Sequence, residues 1–393
     1  QVSGERVAIV SRPCPSHNLF LFYALIEMPI TDVELTSLAE DLRAPLTDRH
    51  LPAIEELIRH VTKTFPELHP RKVRIVQAVK GGSLFKGTAL RDGFDIDLVF
   101  LLNLSVAMLD DDEVLAELKG SLKACLEAHG KIEILDTREG LRFPSVSCEL
   151  SGSGFDISLG ASLVPDPDRI ALEKRWQVQL KEAHKRILHC RGYFKAIQLS
   201  RILSASINEA CVAMVANAPE PVKLAIVLVK RWRDANHLQH FKSFFAEGIV
   251  LYAANHLMRK SQGKATLTVK GILLRALHTL NLTSFSAQQP RYLTLHFLGL
   301  YNPTQWDGWY PNPEHSGHGH RMILVNPLLP ILDSLHSVPS KSLQGWSEAA
   351  VQSIAILSKP TGSLKEVFGS IPSHSIVQAL SDETGSGDDT DDS

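Results

Sequence analysis

The chain has 393 residues, 44% apolar and 21% charged, which excludes wholesale disorder and collagen-like order. Two or three domain-sized units, or one two-lobed enzyme, are expected. The net charge of −2 hides an asymmetry: residues 381–393 carry six acids and no base, and the rest holds 41 bases against 37 acids. That mildly basic body permits a nucleic-acid partner without requiring one.

Five scattered cysteines, with no CxxC pair, read as reduced thiols rather than a disulfide framework or a thiolate zinc site. The early apolar run 19–26 is too short to span a bilayer. A cytoplasmic protein without membrane contact is expected.

In chain order, residues 51–65 place Ile54, Leu57, Ile58, Val61 and Phe65 on one helical face, with Arg59 and Lys63 on the other side. Residues 73–79 and 95–102 read as strands flanking a Gly-Gly-Ser turn. An amphipathic helix follows over 112–129, then short strands at 131–136, 145–150 and 155–160. A long connecting helix is expected over 167–195, with Trp176, Leu180, Ala183 and Ile187 inward and Lys174, Lys181 and Lys185 opposite. Helices at 205–217, 221–236, 243–258, 269–280 and 342–357 complete the pattern. The organisation is α+β: a mixed lobe over 1–200, a helical lobe over 201–375, and a disordered acidic tail over 376–393.

The chemistry concentrates in residues 81–100, GGSLFKGTALRDGFDIDLVF. Gly81 and Gly82 allow a tight turn that exposes backbone N–H groups, and Ser83 adds a hydroxyl, an arrangement suited to a triphosphate. Asp95 and Asp97, one residue apart on a strand, share a face. Carboxylates that close favour a divalent cation between them, and a hard ion such as Mg²⁺ matches oxygen ligands. Asp156, the one acid in the apolar strand GFDISL, is placed beside them as a third ligand and as acceptor of a proton from an attacking hydroxyl. Two cations would then serve an in-line displacement at an α-phosphate, which is nucleotidyl transfer. Taken alone, each part has a plainer reading, a turn or a solvated strand edge.

The pattern GGS-x-x-KGTALR-x-x-x-DIDLVF resembles the 2′-5′-oligoadenylate synthetases and, more widely, the animal synthetases related to cyclic GMP–AMP synthase. The likeness covers about 45–360, strong at 79–100 and at 222–252, which holds VKLAIVLVKRW (222–232) and FKSFFAE (241–247), and thin at 285–345. It implies a polymerase-β-like nucleotidyltransferase lobe against an α-helical lobe, with Mg²⁺ on Asp95, Asp97 and Asp156. Gly82, Ser83, Lys230, Ser243 and Phe244 would hold the nucleotide, ATP and possibly other NTPs. Phe244 stands where relatives carry Tyr, which keeps stacking and removes a hydroxyl.

The resemblance further implies 2′-5′-linked products and activation by double-stranded RNA in innate antiviral sensing. Arg59, Lys63, Lys86, Lys174, Lys181 and Lys185 are the candidate RNA contacts, against the plain alternative of solvated helix faces. No zinc insertion of the cyclic GMP–AMP synthase type is present. A cyclic dinucleotide synthase, a non-catalytic RNA-binding scaffold and a tail-adding polymerase remain as alternatives. His315, His318 and His320 read as loop surface, and Trp232 as packing.

Overall fold

Five short apolar runs pair into one mixed sheet in the order β1-β2-β5-β4-β3. These are β1 (Ile75–Gly81), β2 (Ile96–Leu102), β3 (Glu133–Asp136), β4 (Ser145–Leu150) and β5 (Ser153–Ala161). The computed structural model describes residues 30–46, 50–94, 96–136, 144–164, 166, 169–261, 266–281, 291–293, 306, 322–332, 334–335, 338–359 and 362–370. Asp95, the His315–His318–His320 run and the acidic tail lie outside the described residues.

Within this sheet β2 and β5 run parallel, and the other pairings are antiparallel. Alternation sorts β2 into two faces. Leu98 shares a side with its register partner Lys80, whose ammonium pairs with Glu55 on α2 (Leu51–Leu68). That face, which also takes Ile96, Phe100 and Leu102, is covered by α2 and α4 (Asp112–Glu127). The opposite face carries Asp97, Val99 and Leu101. There Val79, Val99 and Leu101 pack against Ala205 of α6 (Tyr193–Ser206), and α7 (Asn208–Ala216) lies on β1. A helix α5 (Leu172–Leu188) backs α6 and α7.

Local chemistry starts the helices where they start. Thr31 caps α1 (Asp32–Leu42) in a reciprocal capping box with Glu34, and Asp111 caps α4 through the Glu113 and Val114 amides. The expected connecting helix over 167–195 is shorter: α5 ends at Leu188, and Gly192, at φ +109°, opens α6. The expected helix over 205–217 is likewise broken at Ile207, where α6 and α7 meet at 66°. At that bend the Ala161 amide donates to Ser206 Oγ, tying the turn to the sheet.

The second group of helices is α8 (Glu220–Ala235), α9 (Ser243–Lys260), α10 (Val269–Asn281), α11 (Ser340–Leu357) and the short α12 (Leu364–Phe368). A small parallel pair joins β6 (Arg291–Leu293) and β7 (Met322–Leu324). Trp232 is wholly buried, donates to Ser353 Oγ at 2.8 Å and meets Phe241 edge-on, a packing residue as expected. Helix α1 joins this group and packs on α8 and α10, because the Lys270 amide donates to Asp32 and its ammonium to the Ile30 carbonyl. Among the described residues no single helix is long and apolar enough to cross a membrane.

Candidate nucleotide site

The Gly-Gly-Ser turn ends β1 and opens the five-residue helix α3 (Gly82–Lys86), which Gly87 closes in the left-handed region. Gly82 itself sits at φ +78°, and a Cβ there would collide with Asp97 Oδ2. The backbone therefore approaches the carboxylate as only glycine allows. Gly82→Ala is expected to cost about 1–3 kcal/mol from the positive φ and the collision together, measured by urea unfolding, with turnover lost in parallel.

Asp97 and Asp156 are direct register partners on the parallel strands β2 and β5, so both side chains rise from one face. Both are half-buried. From the next strand, Ser147, itself the partner of Asp156, donates to Asp156 Oδ1 at 2.6 Å. Two carboxylates side by side, with a hydroxyl orienting one of them, form an all-oxygen donor set that fits a hard divalent cation. The buried thiols offer no competing site: burial pushes Cys125 and Cys148 up to about 12, so they stay protonated.

Opposite the carboxylates, α8 and α9 bring Lys230, Arg233, Ser243, Phe244 and Glu247 to the same cavity, of about 410 Å³. Gly82, Ser83, Lys86, Phe94, Asp97 and Asp156 also line it. Lys230 is almost fully buried and donates to the Thr88 carbonyl and hydroxyl at 3.0 and 3.1 Å. Glu247 lies between Lys86, at 2.9 Å, and Lys230, at 3.5 Å. Arg233 donates to Ser243 Oγ at 3.2 Å.

These contacts set the charges. Burial is the largest influence on Lys230 and, with repulsion from Lys86 and Arg233, outweighs the Glu247 carboxylate, pushing the ammonium down to about 8. Burial works against Lys86 as well, but Glu247, helped by Cys211 and Asp97, holds it above the ordinary lysine value. Burial alone would raise Glu247, and the two lysines instead hold it below the usual carboxyl range.

A pH dependence follows. Below about pH 8 Lys230 is charged, and above it the site loses a cation facing the cavity. The kcat/KM for an NTP is expected to fall along an alkaline limb near pH 8, and Lys230→Met to remove that limb, read from pH–rate profiles. The same shift makes this residue's contribution to stability rise with pH between about 8 and 10.5, where the unfolded chain holds the extra proton.

No family model matches the chain, and no curated protein matches it. Solved structures do. Over 87% of this chain and 98% of theirs, the E. coli MS115-1 CdnC with ATP superposes with a TM-score of 0.53 at 16% identity. A cytoplasmic RNA terminal U-transferase does so with 0.52 at 14%, over the same shares. The Cid1 poly(U) polymerase bound to MgATP gives 0.52 at 12%, over 86% and 98%. The chain has the polymerase-β-like nucleotidyltransferase fold. Its five-stranded sheet and helical lobe are those of these neighbours, as the α+β reading expected.

The nucleotidyltransferase fold thus gathers Gly82, Ser83, Asp97, Asp156, Lys230, Ser243 and Phe244 around one cavity, with Asp95 outside the described residues. One assignment is corrected. Lys86, read as an RNA contact, points into the cavity and pairs with the buried Glu247, so it is not part of an outer basic face. Arg59, Lys63, Lys174, Lys181 and Lys185 are exposed. They do not form one stripe, because α2 and α5 flank opposite faces of the sheet, and a duplex touching both would span the β1 edge.

The sequence reading missed Arg233, Glu247 and Phe94. Arg233 follows Lys230 by one helical turn, and Glu247 follows Ser243 by one turn, so spacing alone places each beside an identified residue.

Proposed function

We propose that this chain is a template-independent nucleotidyltransferase that joins ATP into 2′-5′-linked oligoadenylates and is switched on by double-stranded RNA. The observation that carries the transferase reading is the register pairing of Asp97 with Asp156 across the cavity from Lys230 and Arg233. Cations on one wall attract a triphosphate, and acids on the other suit a metal-bound α-phosphate. The GGS-x-x-KGTALR pattern supports the 2′-5′ reading, and the exposed lysines of α5 support an RNA partner.

In this reading Lys230 and Arg233 bind the triphosphate, Ser243 orients it through Arg233, and Phe244 stacks on the base. Asp97 and Asp156, with Asp95, would hold Mg²⁺, one or two ions. When bound, the metal supplies neutralisation of charge at the reacting phosphate. Asp156, steadied by Ser147, takes the proton of the acceptor hydroxyl. The fold likeness to CdnC with ATP supports a cyclic dinucleotide synthase as the second reading.

Turnover of labelled ATP, alone and with the other NTPs, in Mg²⁺ with and without long double-stranded RNA, tests these readings. Phosphatase-sensitive ladders that resist a 3′-5′-specific nuclease and appear only with duplex support the proposal. A single phosphatase-resistant product supports the cyclic reading. Nuclease-sensitive tails added to RNA would overturn both.

A further inference from the structure

Residues 173–195 carry seven Lys or Arg and two Glu, which leaves the rest of residues 1–380 close to neutral. The excess charge of the body is therefore concentrated in α5 and the first turn of α6. Lys174, Lys181 and Lys185 form a line down the outer face of α5, and Arg191 and Lys195, both exposed, follow its C-terminus. The line spans about 16 Å along the helix. Glu182 pairs with Arg186 at 3.1 Å and stands 4.0 Å from Lys185, the limit of an ion pair, so it leaves most of this charge uncompensated.

Two large apolar side chains are exposed in the same basic stretch. Val178, one turn after Lys174 on the lysine line, is 40% exposed, and Phe194, between Arg191 and Lys195, is 68% exposed. The Phe194 ring meets Tyr193 edge-on, 6.1 Å between centroids, yet most of it stays in water and forgoes the gain of burial, and its flanking cations would repel a basic partner. Cations beside an accessible ring are the two parts of a single-strand platform, where phosphates pair with lysine and arginine and a base lies on the ring. A duplex keeps its bases stacked inside and has none to offer.

We propose that α5 and the first turn of α6 form a binding ridge for single-stranded RNA, separate from the catalytic cavity, with Phe194 stacking an unpaired base. Lys174, Lys181, Lys185, Arg191 and Lys195 hold the flanking phosphates. The choice of RNA over DNA rests on the RNA-responsive reading above, and the ridge itself does not.

The test is fluorescence anisotropy of the full chain with a labelled single-stranded RNA of about 20 nucleotides, longer than the sites of comparable platforms. The same sequence as a duplex and as single-stranded DNA gives the comparison arms. Phe194→Ala is expected to weaken single-strand binding about tenfold or more. Phe194→Trp retains it, and duplex binding, basal turnover and the unfolding midpoint stay unchanged in both. A Lys181→Gln/Lys185→Gln double variant lowers the salt slope of binding. No single-strand binding, or a Phe194→Ala loss shared equally with the duplex, overturns the ridge, and tighter binding of the DNA overturns its assignment to RNA. If duplex fails to stimulate turnover while the Phe194 effect persists, the activation reading fails and the ridge stands.

Discussion

Asp97→Asn, and separately Asp156→Asn, is expected to reduce nucleotidyl transfer by about 10³-fold or more while the thermal midpoint holds or rises. The two carboxylates are register partners on adjacent parallel strands, which places their backbones about 4.8 Å apart. Neighbouring anions repel, and each stands half-buried on the sheet face. Asparagine keeps the shape and removes one charge, so the folded state loses a repulsion, offset in Asp97→Asn by the smaller support that this carboxylate gives Lys86. On the proposed reading the chemistry loses a metal ligand in either variant, and Asp156→Asn also loses the proton acceptor. Turnover assays paired with thermal unfolding separate the two effects. Wild-type turnover in either variant would mean that the carboxylate assignment is wrong, and loss of turnover with a collapsed midpoint would mean that the residue is structural.

The carboxylates were legible because strand periodicity is local. Asp97 among β-branched and aromatic neighbours, and Asp156 in FDISL, each stood out as an acid in an apolar strand. Their juxtaposition is not local, since it depends on β5 inserting beside β2 in parallel, a pairing between segments some sixty residues apart. The cost of a lone acid in a buried strand suggested that step, and the family resemblance agreed with it. Glu247 was equally visible by the same rule, one acid in SFFAEGIVLYAA, and was passed over although it ends FKSFFAE, because the nucleotide roles there went to Ser243 and Phe244. Lys86 was misplaced for the opposite reason. Standing just past the Gly-Gly-Ser turn, it read as an extension of the basic face, and only the packing of α9 across the turn reveals the buried partner. The break at Ile207 was also hidden: the residues on both sides favour helix, and the bend comes from docking against β5 through Ser206.

Glu247→Gln is expected to destabilise the fold by about 3–5 kcal/mol near neutral pH, because it leaves two buried ammonium groups without their shared counter-charge. Glutamine preserves the volume, so the loss reports charge rather than packing. Lys230 has an escape that Lys86 lacks. Its ammonium is already pushed down to about 8 with Glu247 in place, and removing that carboxylate lowers it further. As pH rises through the lowered value the folded variant sheds the proton while the unfolded chain keeps it, so the variant's stability climbs with pH. The deficit against the wild type should therefore be largest below the variant's lowered value, narrow as pH rises from there to about 8, and stay level above 8, where the wild type sheds the same proton, as measured by urea unfolding across that range. A triphosphate offers the missing anion from the cavity side, so saturating ATP should raise the variant's midpoint by more than the wild type's. An Asp97→Asn control keeps the lysine–glutamate group intact and should show no such excess. A variant that unfolds at the wild-type midpoint, with the wild-type response to ATP, would mean that Glu247 does not hold the cationic wall of the site together.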